Sequence, residues 1–143
     1  MSKQSNDTNG SGATYPLMDQ DESPLHAANG RAMSEITMDA ASAGLLDADD
    51  MRIDGKTLKQ QAAVARQNGF SQLAGNLDRA AELTVVPNEQ LLQMYELLRP
   101  RRATYAEMMA LANRLDEEFE AIATAKMVRE AATVYQERDL LKE

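Results

Sequence analysis

The sequence has no cysteine and no tryptophan, and His26 is its only histidine. Without thiols there is no disulfide and no thiolate metal site, which fits a reducing compartment. One histidine cannot assemble a His-Cys or multi-His metal centre. Aromatic residues make up only 4% of the 143 residues, whereas 23 are alanine. Alanine buries little area, so the core that this chain builds alone is thin. No apolar run approaches the roughly 18 residues that span a bilayer. The opening MSKQSNDTNG holds no hydrophobic segment and does not read as a secretory signal. Together these absences describe a cytosolic protein of one domain at most, with no membrane association.

Basic residues are also scarce. The net charge of −8 argues against nucleic acid, because phosphate binding needs clustered Lys and Arg. Residues 1–50 hold 2 basic and 9 acidic groups, a balance of −7, while residues 51–143 hold 13 and 14, a balance of −1. The acidic excess therefore lies on the N-terminal part. The sequence favours a solvated arm over a docking strip for a basic partner.

Three stretches follow one another. Residues 1–14 are a polar tail without a core-forming residue pattern and are expected to be disordered. Residues 15–35 show no periodicity and read as an extended arm. Tyr15, Pro16, Leu17 and Met18 would be its anchors, either on a partner surface or across this chain's own helices. Residues 36–143 read as a helical domain, so the fold class is all-α.

Within that domain Thr37 is a plausible N-cap for a short helix ending near Gly44. Asp47 to Asp50 form an acidic turn. Asp54-Gly55 precedes a helix over Lys56–Asn68 that Gly69 stops, with Leu58, Ala62 and Ala65 on one face. Ser71 is expected to cap the next helix, which runs to Thr84 with Leu73, Leu77, Ala80 and Ala81 as its apolar stripe. Val86 precedes a proline and is pushed from helical angles. Pro87 suits the first turn of the helix that follows, and Glu89 there favours the positive end of the dipole. That helix carries Leu91, Leu92, Tyr95 and Leu98 toward a core or a partner, and Pro100 ends it. Thr104-x-x-Glu107 is a capping box. It opens a helical pattern running almost to the C-terminus, with a break expected around Ala121 to Ala125 because the pattern outruns a typical globular helix.

Few residue groups point to chemistry. His26 lies in the arm and reads as a surface or partner-contact residue rather than a base. Asp47, Asp49 and Asp50 lack the glycine and terminal glutamate of a calcium loop and read as a solvated turn. Arg99, Arg101 and Arg102 flank Pro100. They could clamp an anion bidentately, but cations near a helix C-terminus already have a structural reason. Arg79 and Glu82 are spaced to pair along one helix. Of Arg129 and Glu130, at most one lies on the apolar side, where a buried charge would need a partner. The nine methionines, among them Met94, Met108, Met109 and Met127, serve either as core filler or as an adaptable surface. There is no nucleophile–base pair, ligand cluster or phosphate cradle, so an independent enzyme is not expected. Helices with an apolar face each, but few large side chains, have surface left over. A partner is the natural place to bury it.

The stretch from Leu73 to Arg102, LAGNLDRAAELTVVPNEQLLQMYELLRPRR, is the most informative. Its RAAELT, VP, MY and LRP-x-R words occur in order with Tyr15-Pro16-Leu17, Glu35-Ile36-Thr37, Met51-Arg52-Ile53 with Thr57-Leu58 and Gln61-Ala62, and Val128-Arg129-Glu130-Ala131-Ala132 with Tyr135 and Arg138. In that order they resemble the small (gamma) subunit of adenosylcobalamin-dependent diol and glycerol dehydratases, over about residues 15 to 142. Leu77 and Asn88 depart from the family's Phe and Asp, and residues 34–50 match poorly.

The resemblance implies a complex that converts 1,2-propanediol or glycerol to the aldehyde with loss of water. Adenosylcobalamin would be held by the other subunits and not by this chain. The partners would be a large barrel subunit and a medium subunit, assembled as a dimer of three-subunit units. This chain would be non-catalytic, stabilising the large subunit from outside. The expected partner contacts are Tyr15, Leu17, Leu91, Leu92, Tyr95, Arg99, Arg101 and Arg102. Residues 1–14 show no amphipathic helix of the kind tied to microcompartment packaging. That leans toward the glycerol type or toward packaging through another subunit. The competing reading is a helical adaptor or regulator that uses the same faces on an unrelated partner.

Overall fold

The structure is a computed structural model and describes Pro16, Leu17 and residues 25–143. Tyr15, Met18 and the tail over 1–14 lie outside the described residues. Among those described there are six α-helices and no named strand, so the chain is all-α as expected. The helices are α1 Met38–Ser42, α2 Gly55–Gln67, α3 Ser71–Leu83, α4 Asn88–Leu97, α5 Tyr105–Phe119 and α6 Ile122–Glu137. An isolated antiparallel bridge joins His26 and Ala32 around a turn at Gly30.

The helix boundaries follow local chemistry. The Thr37 hydroxyl accepts from the Ala40 amide at 3.1 Å to start α1. The Asp54 carboxylate accepts from the Lys56 amide at 3.0 Å to start α2. Gly69 closes α2 with φ +82°, a left-handed angle that suits glycine. The capping box is present: Glu107 N–H donates to the Thr104 hydroxyl at 3.2 Å, and Thr104 N–H to the Glu107 carboxylate at 2.7 Å. The Thr104 backbone N–H, and after it the Thr104 hydroxyl, hold the Glu107 carboxyl below its usual range.

Three local expectations are corrected. Ser71 is the first residue of α3 rather than its cap; Phe70 takes that place without a side-chain bond. Pro87 is the N-cap of α4, one position before the first turn. Helix α4 ends at Leu97, before Pro100, because the chain turns at Leu98. The break between α5 and α6 falls where it is expected, at Glu120 and Ala121, with Glu120 at a φ of +53°.

Two antiparallel hairpins make the body. α2 packs on α3 and α5 on α6, while α3 crosses α6 and α4 rests on α5. The α2–α3 seam is built on Ala62, Ala65 and Ala74, with Leu77 packed beside them. Small side chains let the two helices approach closely. At its start Gly55 lies so near α3 that an added Cβ would sit 2.8 Å from the Thr84 hydroxyl and 3.1 Å from the Ala81 carbonyl. The main core gathers Val86, Met94, Leu111, Ala112, Leu115 and Val128. The expected α3 stripe is split: Ala81 and Ala74 point inward, but Leu73 is 50% exposed and Ala80 is exposed.

Asp50 is not part of a solvated turn. It is buried, pairs with the Arg31 guanidinium at 2.7 Å, and accepts from the Asn29 amide at 2.6 Å and the Asp47 backbone at 2.8 Å. These donors, Asn29 foremost, hold its carboxyl below the usual range. The pair ties the Leu25–Arg31 turn to the body. Likewise Arg79 bonds Asn76 rather than Glu82.

Candidate partner interface

Among the described residues no group of three or more His, Cys, Asp or Glu could hold a metal ion. No helix there is long and apolar enough to cross a membrane. What the surface offers instead is apolar area. Ile53, Val85, Leu92, Tyr95 and Ile122 are each more than half exposed. Scattered apolar residues are ordinary on a protein surface, but a contiguous set marks a contact.

One such set is a shallow groove of about 500 Å³ between α3, α4 and α6, walled by Ile53, Leu58, Leu83, Leu91, Tyr95 and Met127. It adjoins a second depression of about 580 Å³ at the start of α2, sharing Ile53 and Thr84 with it. The walls are fastened across the fold. The Glu82 carboxylate on α3 accepts from the backbone amides of Ala123 and Thr124 at 2.9 and 2.8 Å and from the Thr124 hydroxyl at 2.7 Å. It thereby caps α6, whose own preceding residue Ala121 has no side chain to do so.

The contact residues expected from sequence separate into three groups. Leu17 is buried, covered within this chain, while Tyr15 lies outside the described residues. Leu91 is half-buried against the core and lines the groove. Tyr95, one turn on, is 59% exposed at the groove's edge, and Leu92 is 70% exposed. Leu92 lies about 100° around the helix from Leu91, which turns it away from the core. Met94 takes the inward position instead.

The third group is the arginines around Pro100. Arg99 and Arg102 both reach the Glu96 carboxylate, at 2.9 and 3.3 Å, and lower its pKa, Arg99 most. Arg101 adopts φ +63° and its N–H donates to the Leu140 carbonyl at 2.7 Å. The Tyr135 hydroxyl donates to the Leu98 carbonyl at 2.6 Å. The C-terminal residues therefore clasp this turn and present it as a rigid corner. Sequence reasoning missed Ile53 and Val85 as exposed apolar positions, since each sits just outside a helix, where periodicity gives no direction. The apolar register of the C-terminal helical pattern includes Ile122, yet the break before it leaves Ile122, the first residue of α6, exposed.

This exposed apolar face on a thin-cored helical chain can be set against known proteins. A family model described as dehydratase small subunit matches residues 11–142. The chain belongs to that family. It is 40% identical over 128 residues to the propanediol dehydratase small subunit of Citrobacter freundii and 39% identical over 128 to that of Salmonella typhimurium. Each match covers 90% of this chain and 74% of the relative. Family membership makes the chain one component of a multi-subunit dehydratase.

Nothing among the described residues fits a corrinoid cofactor. Both depressions are shallow, and His26, on the N-terminal turn, lines neither.

Proposed function

We propose that this chain is the non-catalytic small subunit of an adenosylcobalamin-dependent 1,2-diol dehydratase acting on 1,2-propanediol. The reading is carried by the identity of about 40% to propanediol dehydratase small subunits over nearly the whole chain. The apolar face over α3, α4 and α6 supports it, since such area seeks a partner. Large and medium subunits hold the cofactor and substrate in this reading, and two three-subunit units associate. The complex works in the cytoplasm, free or inside a microcompartment. This chain's part is mechanical. Radical intermediates need water excluded and reacting groups held still, and a rigid subunit clamped on the outside supplies stiffness.

Leu91, Leu92, Tyr95 and the Arg99, Arg101 and Arg102 corner are the contacts proposed toward the large subunit, with Tyr15 as the arm's contact and Leu17, buried in this chain, holding the arm in place. The test is co-expression of the large and medium subunits with and without this chain, followed by aldehyde formation from 1,2-propanediol. The reading expects soluble, active enzyme only when the chain is present. Equal activity in its absence contradicts the reading, as does aldehyde formation by the purified chain alone.

A further inference from the structure

The groove has charge of one sign around it. Arg52, Lys56 and Lys59 line the depression at the start of α2, and Arg79 lines the adjoining one. Asp54 is the single acid lining either, and it is engaged as the cap of α2. Arg52 has Asp49 at 3.4 Å, an exposed and weak pair. Among the described residues no carboxylate pairs with Lys56, Lys59 or Arg79. This basic rim stands on a chain whose net charge is −8. Beside the cations the lining is apolar: Ile53, common to both depressions, is 66% exposed, and Met127, in the groove with Arg79, is 40% exposed.

We propose that this groove, continued through Ile53 and Thr84 into the depression at the start of α2, seats an acidic segment of the large subunit, anchored by aliphatic side chains and flanked by Asp or Glu. The inference rests on the subunit reading above and names the chemistry of the contact. Apolar anchors would cover Ile53 and Met127, which water now wets, and carboxylates would meet Lys56, Lys59 and Arg79. Rim charges of this kind set the register and speed the encounter more than they add affinity. The groove is prepared in advance: the Gly55–Thr84 approach and the Glu82 cap fix its walls, so little ordering is lost on binding. A second copy of this chain is a poor occupant. A two-fold contact through this face would set one basic rim against another. Nucleic acid would gain nothing from the apolar floor and would meet a net negative chain.

The test measures binding of the purified chain to the co-expressed large–medium complex at two salt concentrations. The variants are Lys56→Glu with Lys59→Glu, and separately Met127→Glu; Arg138→Glu, just past the C-terminal end of α6, is the control. Helicity and melting temperature establish that each variant folds. The groove variants are expected to weaken binding at least ~10-fold, and the lysine pair to flatten its salt dependence, while the control stays within about twofold. Groove variants that fold and bind like the unaltered chain overturn the proposal. So does self-association of the unaltered chain that the lysine pair abolishes. If the unaltered chain fails to bind the complex at all, the subunit reading itself falls.

Discussion

The carboxylate of Glu82, on α3, accepts both the backbone amide and the hydroxyl of Thr124, on α6, at 2.8 and 2.7 Å. Thr124 is buried, with 4% of its surface exposed, so its donors have no water to fall back on. A side chain borrowed from a helix about forty residues away thus caps α6 and joins the two hairpins. Glu82→Ala is expected to destabilise the chain by ~1–2 kcal/mol, with Glu82→Gln costing less because one acceptor oxygen remains. Urea unfolding at neutral pH measures it. A loss within experimental error would show that the α3–α6 contact holds without this cap.

Asp50 predicts a response to acid. Its folded-state pKa is depressed, chiefly by Asn29, then by the Asp47 amide and Arg31. A depressed carboxylate contributes stability that is present above the unfolded pKa and lost as pH falls through the folded one. The Leu25–Arg31 turn should therefore loosen below about pH 4, where an ordinary Asp protonates. Limited proteolysis at a fixed neutral pH should find Asp50→Asn cleaved in this turn faster than the unaltered chain. The melting temperature of that variant should also fall less between pH 7 and pH 3.5. Glu96 and Glu107 are depressed as well and contribute with the same sign, so the variant flattens the profile without abolishing it.

Gly55 should not tolerate alanine. Replacing glycine within a helix ordinarily gains stability of up to about 1 kcal/mol. Here the new methyl would strike the Thr84 hydroxyl and crowd the Ala81 carbonyl, which is backbone and cannot rotate aside. Gly55→Ala is expected to be net destabilising by ~1–3 kcal/mol. Adding Thr84→Ala removes the nearer obstacle and should recover part of the loss, a coupling that a double-mutant cycle in thermal unfolding reads directly. Strictly additive effects would contradict the close approach.

Much of this fold can be read from the sequence where the signal is local. Thr37, Gly69 and the Thr104–Glu107 box mark helix ends within a residue because each acts on backbone groups two to five positions away. The sequence is silent where partners are distant. Arg79 and Glu82 are spaced to pair, yet Glu82 reaches Ala123 and Thr124 instead. Asp50 looks like one more surface acid until Asn29 and Arg31 fold over it. Helix periodicity left Leu91 facing either a core or a partner, and it packs partly on the core while lining the groove. Periodicity could not separate the buried Met94 from the exposed Leu92, because that choice depends on where α5 lies. The family words were the strongest functional signal, and they are words of helix surface rather than of catalytic chemistry.

Leu92 and Tyr95 give the proposed contact face a direct probe. Neither is needed by the core, since both are more than half exposed. Leu92→Ala with Tyr95→Ala should leave the melting temperature of the isolated chain within a few degrees, yet weaken its retention by the large and medium subunits on size-exclusion chromatography. Unchanged retention would remove these two residues from the interface. Intact assembly with lost aldehyde formation would contradict a purely scaffolding role.

The most direct measurement of the whole account is an add-back titration. Large and medium subunits prepared without this chain are mixed with increasing amounts of it, and aldehyde formation from 1,2-propanediol is followed with adenosylcobalamin present. The account predicts that activity climbs with added chain and levels off at one copy per large subunit. A flat line, with full activity before any chain is added or none at any ratio, would contradict it.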